Sequence, residues 1–159
     1  MVIIDRRIIT GLFLLLFMAT QSYAIGGTKS PKLHNTSVSR TMSKASEYVD
    51  QYKEAAMEQM RRYGIPASIT LAQGILESGS GQSELSRKGN NHFGIKATSS
   101  WLENGGSYLV YADDKPNEKF CQYASVADSY EHHSLFLKSN MRYSELFKLP
   151  PDVYVGWTK

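Results

Sequence analysis

The sequence predicts an α+β fold, mainly α: a helical domain carrying one small β-hairpin lobe near its middle. Three observations lead there. Tyr48, Tyr52, Ala55, Ala56, Met60 and Tyr63 recur at helical spacing, and the stretches after Pro66 and Ser125 repeat that period. Between Phe93 and Tyr123 the pattern shortens into brief apolar runs separated by Asn104-Gly105-Gly106 and by Asp113 to Asn117, which is hairpin chemistry. A length of 159 residues without internal repeats allows a single domain.

Taken in order, Arg6 and Arg7 precede a 12-residue, mostly apolar run, Ile8 to Ala19, and Ser22-Tyr23-Ala24 supplies a small-x-small cleavage pattern. This is a three-part export signal with cleavage expected after Ala24. The run falls well short of the ~20 residues a membrane-spanning helix needs, so no stable membrane insertion is expected after cleavage. No Cys follows it to take an acyl anchor. The expected organisation is therefore 1–24 signal peptide, 25–45 flexible linker and 46–159 folded domain. The linker is rich in Gly, Ser and Thr and buries too little surface to offset its ordering entropy.

The first helix is expected from near Ser46 to Gly64, and the second from Pro66, as its first residue, to Ser78. The second is apolar all round, with Ile69, Leu71, Ala72, Ile75 and Leu76, so it belongs in the middle of the core. Gly79 and Gly81 stop it. A helical turn over 83–88 and a Gly89-Asn90-Asn91 turn follow. Phe93 to Lys96 reads as a strand, Trp101 to Glu103 and Ser107 to Ala112 as the arms of a hairpin, and Glu118 to Tyr123 as a further strand. Ser125 and Asp128 form a capping-box-like start to a helix reaching about Ser139. Tyr143 to Lys148 forms a short last helix.

A net charge of +3 without a dense Lys/Arg stripe speaks against nucleic acid as a partner. The single Cys excludes an intramolecular disulfide framework and a Cys-rich zinc site. His132-His133 has no carboxylate or Cys at metal spacing, so neither metal nor cofactor is expected. Cys121 has no neighbouring His and reads as an inert buried thiol. A monomer is expected.

Glu77 is the unusual residue. It lies in the last turn of the most apolar helix, after Ile75-Leu76 and before Ser78-Gly79-Ser80-Gly81. There the helix dipole disfavours its ionised form by ~0.3–1 kcal/mol, and partial burial beside Leu76 would add to that. Both effects suit a general acid. The glycines leave the backbone open to a bulky substrate.

The stretch Ala72 to Gly81 resembles the catalytic helix of the bacterial endo-β-N-acetylglucosaminidases of glycoside hydrolase family 73, which are lysozyme-like peptidoglycan hydrolases. Asn90-Asn91-His92-Phe93-Gly94-Ile95-Lys96 is similar to that family's Asn-Asn-x-Phe-Gly-Ile-Lys segment. Phe120-Cys121-Gln122-Tyr123-Ala124-Ser125, then Asp128-Ser129-Tyr130, Phe136-Leu137 and Arg142-Tyr143, follow its order, with Cys121 where the family carries Arg.

The resemblance implies an exported enzyme, periplasmic or extracellular, acting on peptidoglycan glycan strands at the β-1,4 bond between N-acetylglucosamine and N-acetylmuramic acid. Glu77 would be its acid. A second carboxylate is expected in the β excursion, with Asp113 and Asp114 best placed, Glu118 and Glu103 as fallbacks, and the substrate acetamido group as the alternative. Asn90, Asn91, Phe93 and Tyr123 are candidate substrate-binding residues; Phe93 is also a strong candidate for the core. The resemblance further implies a helix beyond Gly156-Trp157-Thr158-Lys159, so a domain truncated at its C-terminus is expected. A lytic transglycosylase, which also uses one Glu before Ser, and a non-catalytic peptidoglycan-binding module are the competing readings.

Overall fold

The computed structural model describes residues 35–148, with side chains from Met42 onward. The expected export signal, residues 25–34 of the linker and the segment from 149 on lie outside the described residues. Five α-helices are described: α1 Asn35–Tyr63, α2 Ala67–Ser78, α3 Glu84–Gly89, α4 Ser99–Glu103 and α5 Val126–Ser139. Strands β1 (Tyr108–Tyr111) and β2 (Glu118–Cys121) form an antiparallel pair between α4 and α5, and a 3-10 helix spans Met141–Lys148. The mainly helical body with a small two-stranded lobe is the fold class expected. Among the described residues no helix is long and apolar enough to cross a membrane.

Helix α1 starts eleven residues before the expected Ser46 and takes in the end of the stretch read as flexible linker. No Gly or Pro interrupts 35–63. Once the packed part is nucleated, each outward residue adds a hydrogen bond at small cost. Gly64, at φ +76°, ends it. Pro66 proves to be the N-cap of α2 rather than its first residue. Helix α2 is also less enclosed than its composition implied. It buries one face, Thr70, Leu71, Gln73, Gly74 and Ser78, while Leu76 is 55% exposed.

Two apolar clusters hold the body together. The larger joins Tyr48 and Ala56 of α1, Leu71 of α2, Phe93 and Ile95 of the loop after α3, Cys121, Tyr123 and Tyr130. The smaller joins Ile65, Leu137 and Tyr143 at the opposite end of α5. Each large side chain so buried contributes roughly 1.5–3 kcal/mol. The expected capping box is present at α5: Ser125 Oγ accepts from the Asp128 N–H (3.2 Å) and Asp128 Oδ2 accepts from the Ser125 N–H (2.9 Å).

The β lobe departs from expectation in detail. Trp101 to Glu103 is not a strand but the end of α4, because Thr98 caps that helix by accepting the Trp101 N–H (3.2 Å). The hairpin is formed instead by β1 and β2 across the Ala112–Asn117 turn, with Leu109 opposite Phe120 and Tyr111 opposite Glu118. The expected strand at Phe93 to Lys96 shrinks to one bridge, Lys96 to Phe120. Gly94 at φ +62° breaks the extended run and turns Phe93 inward. The strand expected to reach Tyr123 stops at Cys121.

Candidate active site

Glu77 stands exposed in the last turn of α2, not partly buried as its apolar neighbours implied. The backbone then reverses through three successive left-handed residues, Gly79 (φ +58°), Ser80 (φ +58°) and Gly81 (φ +74°). The Gly79 N–H reaches Leu76 O (3.4 Å) and the Ser80 N–H reaches Ile75 O (2.8 Å), so the carbonyls at the helix end are paired. Ser80 in this region is a strained placement for a side-chain-bearing residue. The abrupt turn leaves the carboxylate on an open rim. Ser78, fully buried, ties the turn together: its hydroxyl donates to Gly74 O (2.5 Å) and accepts from the Gly81 N–H (2.7 Å).

Beneath this turn lies a polar floor that sequence reasoning did not single out. The hydroxyl of Tyr130 donates to that of Tyr48 (2.9 Å), which is hydrogen-bonded to His92 Nδ1 (2.8 Å). All three side chains are buried. Burial pushes the Tyr48 phenol up to about 12, only partly offset by the hydrogen bond from Tyr130. Burial likewise lowers His92 to about 4, so its ring is neutral at neutral pH. The signals were available, since Tyr48 carries the α1 period and His92 interrupts the Asn-Asn/Phe segment. Neither announces a buried hydrogen-bond chain.

In the β lobe, Asp113, Asp114 and Glu118 come together in the hairpin turn, their carboxylate oxygens within 4.8 Å of one another. Lys96 supplies the opposing charge: its ammonium lies 2.8 Å from Glu118 Oε1, 3.4 Å from Asp114 Oδ2 and 3.5 Å from Asp113 Oδ2. Glu118 also accepts from the Lys115 N–H (3.2 Å), and the Lys96 hydrogen bond holds its carboxyl below the usual range. Of the three, Asp114 is the most open, its side chain 49% exposed against 13% for Asp113 and 17% for Glu118. Glu103 is exposed at the end of α4.

The four expected substrate-binding residues are drawn into the scaffold. Asn91 is 1% exposed; its amide donates to Ile95 O and Cys121 O (both 2.9 Å) and its carbonyl accepts the Ile95 N–H (3.1 Å). It therefore welds the loop to β2 rather than offering hydrogen bonds to a sugar. Phe93 is 2% exposed and stacks on His133 at 3.9 Å, so it is core. Asn90 takes the left-handed C-cap of α3 and its amide donates to the Tyr123 and Ala124 carbonyls (3.0 and 3.3 Å). Tyr123 is 6% exposed, its hydroxyl hydrogen-bonded to His132 Nδ1 (2.8 Å). Cys121 is fully buried and desolvation raises its thiol to about 11, an inert group as expected.

A shallow cavity of about 410 Å³ lies between α4 and α5, lined by Thr98, Ser100, Trp101, the Asn104–Gly106 turn and His132. Its lining does not include Glu77. The half-buried Trp101 ring lies parallel to His132 at 5.2 Å and leaves no room for a side chain at Gly106.

A helical body with a two-stranded antiparallel lobe is a lysozyme-like architecture, and Glu77 is its candidate acid. The comparisons agree and narrow it. The chain belongs to the glucosaminidase family of glycoside hydrolases: the family described as mannosyl-glycoprotein endo-beta-N-acetylglucosaminidase matches residues 53–159. The chain is 26% identical over 142 residues to the exo-glucosaminidase LytG of Bacillus subtilis (strain 168), covering 84% of this chain and 49% of that protein. It is 32% identical over 105 residues to the peptidoglycan hydrolase FlgJ of Vibrio cholerae serotype O1, covering 61% of this chain and 31% of that one. The chain thus spans about half or less of these relatives' length. Among solved structures, the glycoside hydrolase domain of Salmonella typhimurium FlgJ is similar at 30% identity and a TM-score of 0.54, covering 63% of this chain and 64% of that one. A peptidoglycan hydrolase from Sphingomonas sp. A1 is similar at 27% identity and a TM-score of 0.55, covering 63% and 65%.

Proposed function

We propose that this domain is an exported peptidoglycan hydrolase. It cleaves the β-1,4 bond between N-acetylglucosamine and N-acetylmuramic acid, with Glu77 protonating the glycosidic oxygen. The observation that carries the reading is Glu77 itself, exposed on the rim left by the left-handed turn 79–81, at the end of a helix whose C-terminal carbonyls are paired and whose inner face is buried. An acid that must reach the oxygen of a polymer needs that openness together with a fixed backbone.

For the second group, Asp114 is better supported than its neighbours. Glu118 has its two oxygens engaged by Lys96 and the Lys115 N–H, and Asp113 is mostly covered. Asp114 offers the more open carboxylate while Lys96 keeps it near Asp113. Where the substrate acetamido group serves instead, Asp114→Asn leaves turnover close to the parent's. Wall glycan lies outside the cytoplasmic membrane, which agrees with the export pattern in residues 1–24.

The deciding experiment is digestion of purified cell walls by the parent and Glu77→Gln. The expected loss is about 10²–10⁴-fold with unchanged melting temperature, as for removal of a general acid. Full turnover in Glu77→Gln would overturn the reading. Mass spectrometry of the parent's products should show free reducing sugar ends; 1,6-anhydro-muramic ends would mark a transglycosylase, and wall binding without release a binding module.

A further inference from the structure

We propose that Tyr48, His92 and Tyr130 are positioning residues that hold the Glu77 turn in its working orientation through a buried hydrogen-bond chain. The inference rests on Glu77 being the general acid. Its geometry is independent of that.

Tyr48 lies under both ends of the segment that carries Glu77. At Gly74, three residues before Glu77, a Cβ would fall 2.4 Å from the Tyr48 hydroxyl; at Gly81, four residues after, it would fall 3.4 Å from the Tyr48 ring and 3.8 Å from His92 Cε1. Two glycines thus let α1 bring one phenol directly against the stretch 74–81. Ser78 links those same two glycines, accepting from one and donating to the other. The hydroxyl of Tyr48 is in turn fixed from two other elements, by Tyr130 of α5 and by His92 of the loop after α3. His92 has its own anchors: its backbone N–H donates to Ser129 Oγ (3.1 Å), and its ring meets Tyr52 edge-on at 4.8 Å.

Packing alone does not call for this chemistry. Burying hydroxyls and an imidazole costs desolvation that hydrogen bonds only offset, and phenylalanine would fill the same volume without it. What the chain adds is direction, since each bond constrains an angle that van der Waals contact leaves soft. Helix ends are the parts of helices most prone to fray, and a 1 Å error in placing an acid can cost about 10²-fold in rate. Burial keeps His92 neutral near pH 7, so the chain holds one arrangement over the neutral range.

The test uses the full chain, soluble glycan strands and four variants. Tyr48→Phe is expected to lower kcat by about 10-fold or more with KM within about twofold, and to shift the pH limb of kcat that the acid sets. Tyr130→Phe should act in the same direction, more weakly. His92→Asn places an amide where Nδ1 stands and should retain most of the turnover; His92→Leu should fall to the level of Tyr48→Phe. Parent-like kcat and pH profile in Tyr48→Phe, whatever its melting temperature, would overturn the inference. Should Tyr48→Phe fail to fold, the His92 pair decides: Asn above Leu supports the chain, and equal turnover overturns it. Retained activity in Glu77→Gln would remove the reading underneath. Loss there with parent-like Tyr48→Phe removes this inference alone.

Discussion

The two lobes present their carboxylates by opposite means. In the helical body, Glu77 is exposed but its support is buried and neutral: Tyr48 is hydrogen-bonded to both His92 and Tyr130, and Ser78 ties Gly74 to Gly81 above them. In the β lobe, Asp113, Asp114 and Glu118 are gathered by the charge of Lys96 on a two-stranded ribbon whose outer face, Tyr108 and Val110, is open. A neutral buried network is little affected by salt, whereas partly exposed ion pairs are screened at a Debye length of about 8 Å under physiological conditions. The helical side is therefore a fixed frame, and the ribbon is positioned by a few side chains that can be loosened separately.

The sharpest way to break that contrast is Gly74→Ala. The added methyl would fall 2.4 Å from the Tyr48 hydroxyl, which is itself held by Tyr130 and His92, so either that hydroxyl or helix α2 must shift. A loss of about 3 kcal/mol in urea unfolding is expected. Combined with Tyr48→Phe, which removes the colliding oxygen, the cost should shrink by more than about 1 kcal/mol. Additive losses would show that the close approach does not set the fold of this region.

Gly106→Ala makes the corresponding change in the β lobe, where the methyl would meet the Trp101 indole. Trp101 is wedged between Gly106 and His132, and its Nε1–H donates to Ser107 O (2.9 Å), so it ties the start of the hairpin to α5. Here the loop can move. The expected cost is about 1–2 kcal/mol, with faster amide exchange confined to 99–121 and none in α1 or α2. Equal acceleration in both lobes would mean that they open as one unit.

How much of this was legible follows the same division. Helices α1, α2 and α5 are written in their apolar period, α5 also in its capping box, and Glu77 stands out because a carboxylate ends an apolar helix. The hairpin was misplaced because Trp101-Leu102-Glu103 looks extended, while the decisive signal, Thr98 followed by two serines, is a capping pattern of a five-residue helix. Asn91 is a candidate ligand contact by its place in a recognisable segment, whereas Phe93 in the same segment is also a core candidate by its apolar run, and the core is where it lies. A motif marks residues that a fold needs without saying whether they face substrate or hold a loop. For Asn91, three hydrogen bonds to backbone groups at Ile95 and Cys121 give the answer, and those partners are up to 30 residues away.

The lobes should also separate by pH. His133 is fully buried against Phe93, its Nδ1 without a hydrogen-bond partner among the described residues, and burial, aided by His132, lowers it to about 3. His92 is lowered to about 4. Below the ordinary histidine value near 6.5 the unfolded chain binds protons on both residues and the folded chain does not, so stability falls with pH from about 6.5 toward 4 and 3. Glu118 works in a different window. Its carboxyl is held down by Lys96, so its contribution is present above the ordinary carboxylate value and is lost only as pH falls through its lowered one. Between pH 5 and 6.5 the acid sensitivity therefore belongs to the helical body. His133→Phe keeps a ring against Phe93 and removes the proton His133 takes up on unfolding, leaving those of His92 and His132, which burial also lowers: near-parent stability is expected at pH 7.5, and a gain over the parent of roughly 2 kcal/mol at pH 5. An unchanged slope of unfolding free energy across that interval would place the titrating group elsewhere and end the division between a neutral frame and a charged ribbon.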